Sequence, residues 1–207
     1  MRAEIVDRVV ASVGPTAITA SDVQREYRLE AFLAGRDPSN LQSDPATLDE
    51  VRGRVVDRVL LEEEAQANGV QLPADDESVL QRLQEAREKL ASPQAFADAL
   101  RAAGISEVDL RVHFFKEQKV LRLIDRRLRP EASVEPAEIE DYYQGTLVPE
   151  LARQGQQQPP ALDEVQDRIR EILVQRKING LLDSWLERLR AARDVKLYGS
   201  AQAEDKK

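Results

Sequence analysis

The sequence predicts a mainly α-helical protein with a small N-terminal β-hairpin, which a C-terminal helix and a short strand rejoin. Ala, Leu, Glu, Arg and Gln are abundant, and these residues favour helices. An apolar stripe at helical spacing continues for about 30 residues from Leu162, the strongest periodic signal in the chain. Only two short stretches, one near each end, alternate as strands do.

The opening hairpin is predicted from alternation and from a turn. Val9, Ala11 and Val13 alternate with their neighbours, so they should line the apolar side of a strand. Gly14-Pro15 then marks a turn, because Gly frees the backbone and Pro fixes φ. A two-stranded hairpin alone is only marginally stable in water. We therefore expect the strand-like run 194–198, or the last helix, to return to it.

The remaining elements are predicted helices whose ends carry capping residues or breakers. Thr47-Leu-Asp-Glu50 has the pattern of a capping box. Residues 35–46 should form a mobile surface loop, 154–160 a polar connection, and 199–207 a disordered tail. The helices are expected over 21–34, from Thr47 to Asn68-Gly69, from Pro73 to about Leu90, from Ser92-Pro93 to Gly104, from Ser106 to about Leu128, from Glu135 to 153, and from Leu162.

Composition argues against several classes of protein. The net charge of −8 and the pI near 4.9 disfavour a nucleic-acid surface, which needs a basic field. Cysteine is absent, so the chain has neither disulfides nor thiolate metal ligands, and this is compatible with any compartment. No stretch approaches the roughly 20 apolar residues of a membrane span. No signal peptide precedes the first strand, which fits a cytosolic protein or a mature exported form.

Catalytic and cofactor motifs are not found either, so we expect no enzyme activity and no cofactor. His113 is the single histidine, and a packing or surface role is the simplest interpretation of its mid-helix position. One histidine without cysteine makes a zinc site unfavourable. Neither of the two glycine-rich phosphate-binding patterns occurs, so a nucleotide would lack its usual backbone cradle.

The chain contains, in order, the fragments V-D-R-V-V-A-S-V, I-T-A-S-D-V, V-V-D-R-V-L-L-E-E-E-A and N-G-V. These fragments resemble the SurA-type periplasmic chaperones and the related PrsA-type foldases. The first two resemble the start of that family, and the last two resemble its long second helix and its exit. V-E-P-A-E-I-E-D-Y-Y resembles the linker helix before the parvulin-type prolyl isomerase domain. The matching residues are 6–13, 18–23, 55–65, 68–70, 96–104, 120–127, 134–143 and 185–197.

One departure from the family matters for function. A parvulin domain of about 100 residues would have to lie between Tyr143 and Leu162, where this chain has only a short Gln/Pro-rich connection. The resemblance therefore implies a single chaperone module over 1–198, made of 1–130, the linker helix 135–153 and the returning 161–198. It implies a holdase for unfolded or partly folded polypeptides, periplasmic or exported, without isomerase activity; a cytoplasmic location is the alternative.

Aromatic pairs are the candidate client-binding residues. Adjacent residues on a helix point about 100° apart, so one member of Phe114-Phe115 and of Tyr142-Tyr143 can face a cleft while the other enters the core. Phe32 and Leu33, beside the predicted loop, are a third candidate. The alternative for all of them is ordinary packing.

Two other functions remain open at this point. The same apolar surface could serve one fixed ligand in a dedicated partner or scaffold protein, and a free hairpin with a long terminal helix could exchange between two copies in a homodimer. The chain could also be a divergent prolyl isomerase with its activity at another site, although the short 154–160 connection argues against this.

Overall fold

The structure is a computed structural model that describes residues 7–36, 43–155 and 158–199. Helices dominate the described residues, and a three-stranded antiparallel sheet completes them, which confirms the mainly α fold class. The predictions made for 37–42 in the first loop, for the centre of 154–160 and for the tail from 200 lie outside the described residues.

The sheet joins the two ends of the chain, as the marginal stability of an isolated hairpin predicted. Its strands are β1 (Val9–Val13), β2 (Thr16–Thr19) and β3 (Val195–Leu197), in the order β2-β1-β3. The amide of Tyr198 donates to the carbonyl of Val10 at 3.0 Å, and the amide of Gly14 donates to the carbonyl of Asp194 at 3.2 Å. Both edges of β1 are thereby paired.

The expected orientation of Val9 is wrong. The pairing of β1 with β2 shifts register between Val9 and Ala11, which is a β-bulge or similar irregularity. An extra residue in one strand reverses the side chains that precede it. Val10, Ala11 and Val13 are consequently buried, whereas Val9 is 42% exposed.

The helices follow the predicted order, with small changes at their ends. A short 3₁₀ turn, Arg129–Glu131, follows α5, and one π-helical turn, Tyr143–Leu147, separates α6 from α7. The α-helices are α1 (Ala20–Leu33), α2 (Pro45–Ala67), α3 (Glu77–Glu88), α4 (Pro93–Ala103), α5 (Glu107–Leu128), α6 (Pro136–Tyr142), α7 (Val148–Arg153) and α8 (Leu162–Ala192).

Capping residues explain most helix starts, and one prediction is corrected. Thr19 and Asp22 form a reciprocal capping box that starts α1 directly after β2. Helix α2 does not begin at Thr47: Asp44 is its N-cap, because its carboxylate accepts the amide of Thr47 at 2.9 Å. Pro45 occupies the first turn, where its missing N–H removes no helical hydrogen bond.

The chain divides into two compact units. Unit 1 comprises Met1–Leu123 and Arg188–Lys207, and unit 2 comprises Ile124–Glu187. In unit 1, α1, α3, α4 and α5 contribute the buried cluster of Leu29, Val79, Leu83, Ala86, Phe96, Leu100, Ala103, Ile105, Leu110 and Phe114. The prediction of one module over 1–198 remains a prediction.

Unit 2 has its own small core. Ile139 from α6 and Ile169, Ile178 and Trp185 from α8 are buried. Trp185 is 3% exposed, with the Arg127 guanidinium 4.5 Å from the ring centroid. Among the described residues, no helix combines the length and the apolar character that a bilayer crossing requires.

Candidate functional site

The most exposed apolar surface of unit 1 lies on α5. Val108, Val112 and Phe115 are spaced i, i+4 and i+7, so they occupy one face of the helix. Val108 is 70% exposed, Val112 is 48% exposed and Phe115 is half-buried. The opposite face carries Leu110 and Phe114, which are fully buried. Helix α5 therefore carries apolar side chains on both faces. Leu110 and Phe114 are buried in the core, whereas Val108 and Val112 are exposed and Phe115 packs partly against the core.

A groove of about 640 Å³ runs along this exposed row, and we call it the α2–α5 groove. Helix α2 provides one wall, α5 the other, and the segment that follows α2 contributes to the apolar floor. The lining residues are Thr16, Val59, Glu62, Glu63, Gln66, Leu72, Ala74, Val108, Arg111, Val112, Phe115, Lys116 and Lys119.

The two walls of the α2–α5 groove carry opposite charge. Helix α2 presents Glu62 and Glu63, and α5 presents Arg111, Lys116 and Lys119. Lys116 crosses the groove to Glu62, with 3.1 Å between nitrogen and oxygen. An apolar floor between charged walls can hold an apolar polypeptide segment by burial while the walls constrain its orientation.

A second cavity, of about 290 Å³, adjoins the groove and contains the only histidine. Arg58 donates to the carboxylate of Glu26, and His113 Nδ1 lies 3.5 Å from Glu26 Oε1. Burial alone raises the pKa of the Glu26 carboxyl, but the hydrogen bonds and charges of His113 and Arg58 outweigh burial and lower this pKa to about 2. Glu26 is therefore ionised at neutral pH, and its role in this network is to hold α1, α2 and α5 together.

A third concavity, of about 850 Å³, lies beside the α3–α4 connection. Leu90, Phe96 and Ile105 line it, but Phe96 and Ile105 are almost completely buried, so these two side chains add little exposed apolar surface. Its arginines are already paired: Arg87 contacts Glu107, and Arg101 lies 2.6 Å from Asp98. This concavity therefore offers fewer free contacts than the α2–α5 groove.

The candidate residues predicted in unit 1 occupy different positions. Phe115 lines the α2–α5 groove, but Phe114 is 1% exposed and serves as core packing. Phe32 and Leu33 pack against the buried cluster of unit 1, and the ring of Phe32 meets the edge of Phe96 at 6.0 Å between centroids. Of these four side chains, Phe115 alone lies on the groove.

The candidate residues predicted in unit 2 are both half-buried. The Arg176 guanidinium lies 4.9 Å from the centroid of the Tyr142 ring. The hydroxyl of Tyr143 donates to the carbonyl of Pro160 at 2.7 Å, which ties the 158–161 segment to the π-helical turn. These contacts give both tyrosines a packing role inside unit 2.

Sequence reasoning missed the valines that make the groove. Val59, Val108 and Val112 were not among the predicted site residues, yet all three line the groove. A signal was present, because Val108 and Val112 are four apart and Leu110 and Phe114 form a second such pair. Two apolar rows on one helix indicate that one row faces solvent or a ligand.

No cluster of three or more His, Asp or Glu residues suited to a metal ion occurs in the described ranges 7–36, 43–155 and 158–199. No protein-family model matches the chain, and no curated protein matches it significantly.

Proposed function

We propose that this chain is an ATP-independent holdase-type chaperone, related to the SurA- and PrsA-type proteins but without their parvulin domain. It binds non-native or exported polypeptides in the periplasm or outside the cell and has no prolyl isomerase activity. The α2–α5 groove is the binding site. The single observation that carries the proposal is the row of exposed Val108 and Val112 with half-buried Phe115 along a groove of about 640 Å³.

The physical basis of binding is apolar burial. Each Å² of apolar surface removed from water contributes about 25 cal/mol, and this contribution is independent of direction. A surface of valines and one phenylalanine can therefore accept many apolar sequences. The exposed row also needs an explanation, since clustered exposed apolar residues in a protein commonly mark an interaction site.

The fragments that resemble the SurA- and PrsA-type proteins, in the same order along the chain, support the same function. The sheet pairing of β1 with β3 supports it further, because the family resemblance led us to expect the C-terminal segment to pack on the N-terminal module. A dedicated partner-binding protein is the second candidate. The oppositely charged walls favour it, because fixed charges around an apolar site add selectivity more than affinity.

Suppression of aggregation tests the proposal. The client is α-lactalbumin reduced with dithiothreitol, and a reductant is harmless to this chain because it has no cysteine. At near-stoichiometric concentration, the chain should suppress most of the light scattering. The double variant Val108→Ser/Val112→Ser should lose at least half of this suppression, because it removes apolar surface while valine and serine have similar helix propensities.

Leu121→Ser is the matched control, since Leu121 is 44% exposed on the same helix and does not line the groove. It should suppress aggregation as the wild type does. Failure of the wild type, with a folded state shown by circular dichroism, would exclude the holdase function. Full suppression by the double variant would exclude the α2–α5 groove as the site.

A further inference from the structure

The carboxylates that line the α2–α5 groove already have cationic partners, whereas two of its cations have no carboxylate partner in the described part of the chain. Glu62 is paired with Lys116, and Glu63 accepts the Thr16 hydroxyl at 3.2 Å and lies 3.7 Å from Arg193. Each carboxylate that lines the groove therefore already has at least one cation beside it.

Among the described residues that line the groove, two cations of α5 have no carboxylate partner. Arg111 donates to the carbonyl of Ala74 at 2.7 Å, a contact that leaves its charge unneutralised. Lys119 is half-buried at the groove and has no ion-pair partner among the described residues. The uncompensated charge of the groove is positive, although the whole chain has a net charge of −8.

The spacing of these cations determines how far apart two carboxylates of a ligand must lie to pair with both. Arg111, Phe115 and Lys119 stand at i, i+4 and i+8, so the cations lie one turn on either side of the aromatic ring. Eight residues of α-helix span about 12 Å along the axis. An extended ligand advances about 3.3 Å per residue, so two carboxylates four residues apart would be separated by a similar distance.

We propose that the α2–α5 groove selects extended apolar segments that carry an acidic residue on each side, with the two acidic residues four positions apart. The central apolar side chains contact the row containing Phe115, and the flanking carboxylates pair with Arg111 and Lys119. This inference rests on the proposed function, because it specifies which polypeptides the groove prefers. The α3–α4 concavity provides no comparable preference, because Arg87 and Arg101 already have carboxylate partners.

The test uses three fluorescent synthetic peptides in an anisotropy titration. All three contain Leu-Phe-Leu at the centre, and the residue on each side is Glu, Gln or Lys. The Glu peptide should bind about fivefold more tightly than the Gln peptide, as expected for two partly exposed ion pairs, and the Lys peptide should bind most weakly. Raising the salt concentration should reduce this difference.

Substitutions assign the preference to the groove. Lys119→Gln should reduce the advantage of the Glu peptide to about twofold, and Lys119→Glu should abolish it. Lys89→Gln is the matched control: it makes the same change in net charge at an exposed residue that does not line the groove. It should leave the advantage unchanged. The double variant Val108→Ser/Val112→Ser should weaken the binding of all three peptides to a similar degree.

The outcomes separate the inference from the function on which it rests. Equal affinity for all three peptides, or an advantage that Lys119→Gln leaves intact, would overturn the acidic preference while the groove remains a binding site. If no peptide binds and reduced α-lactalbumin still aggregates, both proposals are wrong.

Discussion

The amide of Tyr198 donates to the carbonyl of Val10 at 3.0 Å, so residues from the two ends of the chain share one β-ladder. The same end of the chain also contacts α2, where Arg190 forms a bidentate ion pair with Asp57. The terminal segment is therefore part of the fold of unit 1. Its removal should therefore cost stability.

Truncation after Arg193 tests this dependence. The truncation removes β3 and at least the hydrogen bonds that Gly14 and Val10 make with this segment. At about 1 kcal/mol for each lost backbone hydrogen bond, the free energy of unfolding should fall by about 2 kcal/mol. Urea denaturation followed by circular dichroism measures the change. Truncation after Gly199 is the control and should be much less destabilising; equal midpoints for the two truncations would contradict the role of β3.

Glu26 should make stability depend on pH in the acid range. Its pKa is about 2 in the folded protein against an ordinary value of 4.5. Because the folded pKa is the lower one, the stabilisation is complete above about pH 4.5 and disappears as the pH falls through 2. A pKa shift of this size corresponds to about 3 kcal/mol of stabilisation of the folded protein.

The variant Glu26→Gln cannot titrate at this position, so it should be less stable than the wild type at pH 7, where Arg58 and His113 lose the Glu26 carboxylate and Arg58 keeps only its pair with Glu62. The difference in the free energy of unfolding between the wild type and the variant should shrink towards pH 2. Denaturation at several pH values measures it, and parallel stability curves for the two proteins would show that Glu26 is not the responsible group.

Gly53 should be replaceable by alanine with a gain in stability. It lies inside α2, and a Cβ placed there would meet no atom within 4 Å. Because glycine in a helix interior costs about 1 kcal/mol relative to alanine, Gly53→Ala should raise the melting temperature by a few degrees. Gly104→Ala is the contrasting variant. It should destabilise, because Gly104 has φ +65° and the new Cβ would lie 3.1 Å from Arg28.

Trp185 provides a spectroscopic view of unit 2, because it is the only tryptophan. Arg127→Ala removes the guanidinium 4.5 Å from the ring centroid and should expose the indole, so its emission maximum should shift to the red. The expected loss of stability is about 0.5 to 1 kcal/mol. Arg127→Lys retains a cation and should show a smaller shift. An unchanged spectrum in Arg127→Ala would mean that the arginine does not shield the ring.

The sequence identified only part of the candidate site. The aromatic pairs were selected because large apolar residues stand out in a chain with few aromatics, and only Phe115 among Phe32, Phe114 and Phe115 lies at the groove. Val108 and Val112 were not selected, since their exposure depends on which face of α5 meets the rest of unit 1. The bulge that turns Val9 outward is likewise a property of strand pairing rather than of strand sequence.

The amino-acid sequence alone determined the order of the elements, the helix ends at residues such as Asn68 and Gly104, and the mainly α-helical class. Those features depend on local chemistry: capping side chains, chain breakers and the 3.6-residue period act within a few positions. The tertiary structure decided which apolar row of α5 stays exposed, which carboxylates become paired and which cations stay free. Those outcomes depend on contacts between residues far apart in the chain, and no local pattern contains them.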